Sequence, residues 1–195
     1  MNRVAAVNRE TAETKIALQL NLDGAGNVAI DSGIGFFDHM LNLMVVHGQL
    51  DLDLRCDGDL EVDGHHSVED IGIALGDAFK EAIGDKKGIC RYGTFYLPMD
   101  ESLAFVTLDI SGRPFLVYDG GEMSPMVGGF DTELTEEFLR AFAMHAGITL
   151  HVKLLYGTNT HHKIEAIFKA LGHALRIAVS KDPKVTGVPS TKGML

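Results

Sequence analysis

The sequence predicts an α+β protein made of two copies of one unit, with helices packed on sheets. Three observations carry that prediction. The chain holds an internal duplication; each copy mixes two-residue alternation with 3.6-residue periodicity; and 195 residues that are 46% hydrophobic can bury a sizeable core. The duplication is plainest when HHSVEDIGIALGDAFKEAI (65–83) is set over HHKIEAIFKALGHALRIAV (161–179), an offset of 96. Nine of the nineteen positions are then identical, among them both histidines and the glutamate. The segments just before match at an offset of 98, which sets His39 on Glu137 and His47 on His145. Further upstream, at an offset of 88, Glu13 meets Glu101 and Gly24 meets Gly112. Shifting offsets are what loops of unequal length produce. The copies divide the chain into 1–90 and 91–195, two pseudo-symmetric halves of one compact domain.

Each half repeats the same order of elements. Alternation over Thr14–Leu22 and Leu103–Ile110 predicts a half-buried strand that ends in a glycine turn. A second strand follows, at Val28–Ser32 and at Pro114–Tyr118. Phe37, Leu41, Met44 and Val45 recur at helical spacing, as do Phe138, Ala141, Phe142 and His145. A further strand alternates over Leu50–Arg55 and Ile148–Leu155. The last element is a helix, with Val68, Ile71, Leu75 and Phe79 on one face and Ile164, Ile167, Leu171 and Leu175 in its twin. Strands grouped with two helices per unit place the helices on one sheet face.

Composition narrows the function. Seventeen Lys and Arg against 27 Asp and Glu give a formal charge of −10, which argues against a nucleic-acid partner. No run of about 18 apolar residues marks a membrane span, and the first residues carry no secretory pattern. Cys56 and Cys90 match no metal or redox spacing. The expectation is a reduced, cytoplasmic protein.

The sharpest chemical feature is H-H-x-x-E, present twice, as His65-His66-Glu69 and His161-His162-Glu165. On a helix the glutamate neighbours either histidine, whereas adjacent histidines point about 100° apart. A pair that divides its histidines between two metal ions, or two faces, fits better than one ion holding both. Ser67-x-x-Asp70 also fits a capping box, which would put His65 and His66 just before the helix. Imidazole with carboxylate suits manganese, iron, zinc or nickel. His39 and Glu137 hold equivalent places on the preceding helices, so each is a candidate to complete one of two related sites. His151 reads as a polar strand position and His173 as part of a polar helix face. Arg113 sits in the S-G-R-P turn and Arg91 between the two copies, and the terminal P-S-T-K-G-M-L brings Ser190, Thr191, Lys192 and Gly193 together, residue types that favour an anion. A phosphate-binding glycine loop and a nucleophile elbow are both missing from the sequence.

Taken together, F-F-D-H-M-L (36–41), D-G-H-H-S-V-E-D (63–70), M-D-E-S-L-A (99–104), D-I-S-G-R-P (109–114), G-T-N-T-H-H-K-I-E-A (157–166) and P-S-T-K-G-M-L (189–195) resemble the imidazoleglycerol-phosphate dehydratases of histidine biosynthesis. The resemblance runs in order from about Arg9 to Leu195 and looks like the monofunctional form. It implies a manganese-dependent hydro-lyase that converts imidazole glycerol phosphate to imidazole acetol phosphate and water. It also implies two repeats of the unit found in domain 2 of ribosomal protein S5, and a cage of 24 subunits with active sites where neighbours meet. The implied metal ligands, for two manganese ions per subunit, are His39, His65, His66, Glu69, His161, His162 and Glu165. The eighth family ligand, usually His, falls on Glu137. The implied chemistry stabilises an imidazolate that expels hydroxide from the adjacent carbon, with the metal as Lewis acid. Glu13 is the implied proton-transfer carboxylate, beside His65 and Glu165. Arg91, Arg113, Ser190, Thr191 and Lys192 would hold the phosphate, with His47 and Gln49 nearby. The competing expectation is a metal-storage cage without catalysis, against which the anion-binding residues speak.

Overall fold

The computed structural model of the chain describes residues 3–193 and 195. Its first half runs β1 (Val4–Glu10), β2 (Thr14–Asn21), β3 (Val28–Asp31), α1 (Gly35–Gly48), β4 (Asp51–Gly58) and α2 (His65–Ile83). The second half runs β5 (Tyr92–Met99), β6 (Ser102–Asp109), β7 (Phe115–Asp119), a short pair β8 (Met126–Val127) and β9 (Phe130–Asp131), then α3 (Leu134–Ala146), β10 (Thr149–Tyr156) and α4 (Thr160–Val179). The large sheets have matching orders, β1-β2-β4-β3 and β5-β6-β10-β7. In each, only the last-placed strand is parallel to its neighbour. The α+β duplication expected from the sequence is therefore present in the two large sheets and the four helices.

Two strands and one hairpin lie outside the sequence expectation. β1 and β5 are edge strands, and their patterns give little away: in β1 only Ala5 is fully buried, and in β5 the inward positions are Gly93, Phe95 and Leu97. Gly93 has a packing reason, since a Cβ there would lie 1.9 Å from the Ala174 carbonyl oxygen of α4. The β8–β9 hairpin belongs to the second half alone.

Each sheet buries one face, and the helices cover it. α2 lies on β1, β2 and β4, and α4 on β5, β6 and β10. The helices also pack across the halves, α2 against α3 and α1 against α4, so one continuous apolar core spans both. Equivalent glycines permit the closest approaches. A Cβ on Gly172 of α4 would lie 2.3 Å from the Met44 carbonyl oxygen of α1; on Gly76 of α2 it would lie 2.6 Å from His145 Cβ and 2.8 Å from Ala146 N of α3. The outer faces differ in kind. That of the second sheet exposes Tyr92, Tyr96, Phe115 and Val117, whereas Gln19, Asp53 and Arg55 stand on the first. Among the described residues no helix is long and apolar enough to cross a membrane.

Candidate metal centre and anion groove

Both histidine pairs open a helix. α4 begins at Thr160, with the Asn159 side chain accepting the His162 N–H at 3.3 Å. α2 begins at His65 itself, after Gly64, and the Asp63 side chain accepts the His65 N–H at 2.7 Å. The expected Ser67-x-x-Asp70 box does not form. Asp70 instead accepts from Arg9 at 2.8 Å and from Thr14, while Ser67 Oγ is buried without a hydrogen-bond partner. The tertiary pull of Arg9 and Thr14 outweighs a local cap.

The rings within each pair diverge, by 87° for His65 and His66 and by 79° for His161 and His162. The first histidine of each pair turns along its helix towards the glutamate four residues on. His161 Nε2 lies 3.0 Å from Glu165 Oε2, and His65 Nε2 lies 3.9 Å from Glu69 Oε2. The second histidine turns to other carboxylates. His66 Nδ1 is 3.0 Å from Asp59 and its Nε2 is 3.7 Å from Glu13 Oε1. His162 Nδ1 is 2.8 Å from Glu101 and its Nε2 is 3.9 Å from Asp100. These carboxylates raise the pKa of both rings, the hydrogen bonds to Asp59 and to Glu101 contributing most.

One group among the described residues gathers three ligand-type atoms within 4.8 Å: His39, His161 and Glu165. It joins the halves, because α1 supplies His39 and α4 the other two. Glu165 is 9% exposed, and its Oε2 lies 3.6 Å from His39 Nε2. The other oxygen, Oε1, meets Lys169 Nζ at 2.5 Å. Burial alone would push the Glu165 carboxyl up, yet Lys169 and His161 hold it below its usual value. This donor set is imidazole with carboxylate, which fits a borderline divalent ion. The equivalent set of His65, Glu69 and Glu137 does not close in this way. Glu137 faces Arg140, with 3.8 Å between its Oε2 and the Arg140 Nε.

The anion-type residues converge elsewhere. Arg91, Tyr92, Arg113, Pro189, Ser190, Thr191, Lys192 and Leu195 line an open groove of about 630 Å³. Arg91 is almost fully buried, its guanidinium on Asp109 at 2.6 and 3.0 Å and on the Pro189 carbonyl oxygen at 2.8 Å. That last bond ties the C-terminal segment to the start of β5. The Arg113 side chain is 71% exposed, its guanidinium 4.0 Å from Asp109. His47 and Gln49 do not line this groove. His47 Nδ1 is 3.3 Å from His173 Nε2, and His173 stacks on Phe95 at 4.1 Å, so the ring expected on a polar face is half-buried. Burial lowers both pKa values. Gln49 closes α1 in the left-handed conformation, and His151 is exposed on β10.

Sequence reasoning missed Lys169, Asp59 and Glu101. Two carried a signal: Lys169 stands four residues after Glu165, and Glu101 is the repeat partner of Glu13. Asp59 carried none, since it reaches His66 only through the loop that precedes α2.

Comparison with known proteins points one way. Residues 32–175 match the sequence model of a family described as imidazoleglycerol-phosphate dehydratase. Curated proteins of that name are similar over nearly the whole chain. The one from Clostridium novyi is 64% identical, covering 96% of this chain and 95% of its own; that from Acetivibrio thermocellus is 58% identical over 100% of both. The crystal structure of imidazoleglycerol-phosphate dehydratase from Staphylococcus aureus superposes with a TM-score of 0.84 at 44% identity, covering 92% of this chain and 99% of that one. IGPD from Pyrococcus furiosus, solved in complex with (S)-C348, superposes at 0.83 with 36% identity, covering 97% of this chain and 100% of that one.

Proposed function

This chain belongs to the imidazoleglycerol-phosphate dehydratase family, a family of hydro-lyases in histidine biosynthesis, and from that premise we propose that it converts imidazole glycerol phosphate to imidazole acetol phosphate with manganese as its metal. The observation that carries the metal reading is the convergence of His39, His161 and Glu165 from two helices of opposite halves. His65, His66, Glu69, His162 and Glu137 complete the proposed ligands for two ions. When bound, manganese supplies Lewis-acid polarisation of the substrate imidazole and a template that orients it.

The chain's own residues divide the remaining work. Lys169 occupies one oxygen of Glu165, which leaves the other facing His39 and His161. Glu13, half-exposed beside His66, is the carboxylate that takes the proton from carbon. Arg91, Arg113, Ser190, Thr191 and Lys192 bind the phosphate, with His47 and Gln49 further off. Binding energy at that remote end holds the ring in register for the reaction. The anion groove and the metal group have no residue in common, which supports a site assembled from neighbouring copies in a 24-subunit cage. The apolar outer face of the second sheet supports association as well.

The test is turnover of imidazole glycerol phosphate by purified protein stripped of metal and then resupplied with manganese. Activity that vanishes and returns is expected. A protein that binds about two ions per chain yet never turns over would favour metal storage instead.

A further inference from the structure

The repeat equates Glu13 with Glu101, but the two carboxylates have parted in their contacts. Glu101 is fixed. Its Oε2 takes the His162 ring, and its Oε1 accepts the Asn159 N–H at 2.7 Å, the Thr158 N–H at 3.1 Å and the Ser102 hydroxyl at 2.9 Å. Glu13 makes no comparable contact: 3.7 Å separates it from His66 Nε2, and its side chain is 51% exposed.

The place that Glu101 fills beside His162 is filled beside His66 by Asp59. Its oxygens lie 3.0 and 3.2 Å from His66 Nδ1. The Asp59 N–H also donates to the Glu13 carbonyl oxygen at 3.1 Å, so the two loops are tied at the backbone. Asp59 has no counterpart in the second half. At the offset of the preceding strands its position is Gly157, where a Cβ would lie 2.3 Å from Ser102 Oγ. The loop before α2 runs over six residues, 59–64, and the loop before α4 over three, 157–159.

We propose that Asp59 and Glu101 are the positioning residues of the proposed metal site, and that Asp59, by taking over His66, leaves its neighbour Glu13 unbound for proton transfer. Each carboxylate accepts the Nδ1–H of its histidine. That fixes the tautomer, so the Nε2 lone pair is the one free to hold an ion. A carboxylate behind a ligating histidine raises its basicity and locks the ring's orientation, and its loss costs between about tenfold and a hundredfold in metal affinity. The inference rests on the metal reading above.

The test is manganese titration of the full-length protein, followed by calorimetry and by the electron paramagnetic resonance of free ion, with kcat measured in parallel. Asp59→Ala and Glu101→Ala should each weaken binding by about tenfold to a hundredfold. Asp59→Asn and Glu101→Gln, whose amide oxygens still accept from Nδ1, should recover part of the loss and guard against a folding defect. Glu13→Ala should keep wild-type ion affinity and lose kcat. Wild-type affinity in Asp59→Ala, or equal weakening in Glu13→Ala, would overturn the assignment while leaving the function intact. A wild-type protein that turns over without binding any ion would overturn the assignment and the metal reading together.

Discussion

Two groups of metal-type residues, one in each repeat frame, began from the same pattern and ended differently. In the frame of α1 and α4, His39, His161 and Glu165 are already gathered. In the frame of α2 and α3, His65 stands 3.9 Å from Glu69 and Glu137 faces Arg140. Two neighbours account for the contrast. Lys169 holds Glu165 in place, while the equivalent position after Glu69 is Ile73, which cannot. Arg140, hydrogen-bonded to Glu136, also lies 3.8 Å from Glu137, while the equivalent position after His39 is Asn42, which carries no charge. Duplicated ligands do not by themselves make duplicated sites; the frame that gathers its group has a lysine bonded to its glutamate one turn along, and the other frame has none.

The largest effect on this comparison should come from the glycines that set the helix spacing. Gly172→Ala pushes a methyl into the α1 backbone and Gly76→Ala pushes one into α3. Overpacking of this kind costs about 1–3 kcal/mol, and urea unfolding should show both variants destabilised, Gly172→Ala the more because its nearest neighbour is a backbone oxygen. A neutral Gly172→Ala would mean that the two frames are not held by these contacts. Glu137→His sharpens the comparison at the site itself. Exchanging carboxylate for imidazole should shift preference from manganese towards zinc or nickel; a change of about tenfold, or about 1.4 kcal/mol, should appear in competitive ion binding. An unchanged preference would remove Glu137 from the ligand set. The smallest effect concerns a feature of the first half alone. Asp51 accepts the N–H groups of Ala25 and Asn27, both at 2.9 Å, and these bonds hold its pKa below the ordinary value of 3.8. Because the folded-state value is depressed, the stabilisation is present above pH 3.8 and lost as pH falls through the folded value. Asp51→Asn should therefore cost about 1 kcal/mol at neutral pH and progressively less as pH falls through the folded value. A cost that persists in acid would place its origin in shape, not charge.

Much of this was legible in the sequence, for a physical reason. Interior strands such as β2 and β10 bury every second residue, so their alternation could be read directly. The helices α2 and α4 repeat both their apolar face and their H-H-x-x-E, which exposed the duplication. The edge strands β1 and β5 were illegible because they bury few side chains, and Gly93 in β5 gives way to a helix backbone. In the site, residue types that chelate declared themselves by spacing. Lys169, Asp59 and Glu101 did not, because what they do depends on which oxygen or ring nitrogen they face. The capping box at Ser67 failed for a like reason: Asp70 found Arg9 and Thr14, sixty-one and fifty-six residues away in the chain.

The crossed packing of α1 on α4 and α2 on α3 also has a consequence in time. Neither half can cover its own helices, so a nascent first half waits on the ribosome with its apolar face uncovered. At about 5–20 residues per second, roughly ten seconds separate the synthesis of α1 from that of α4. His39 is made long before His161 and Glu165, and the three can gather only once the last helix emerges.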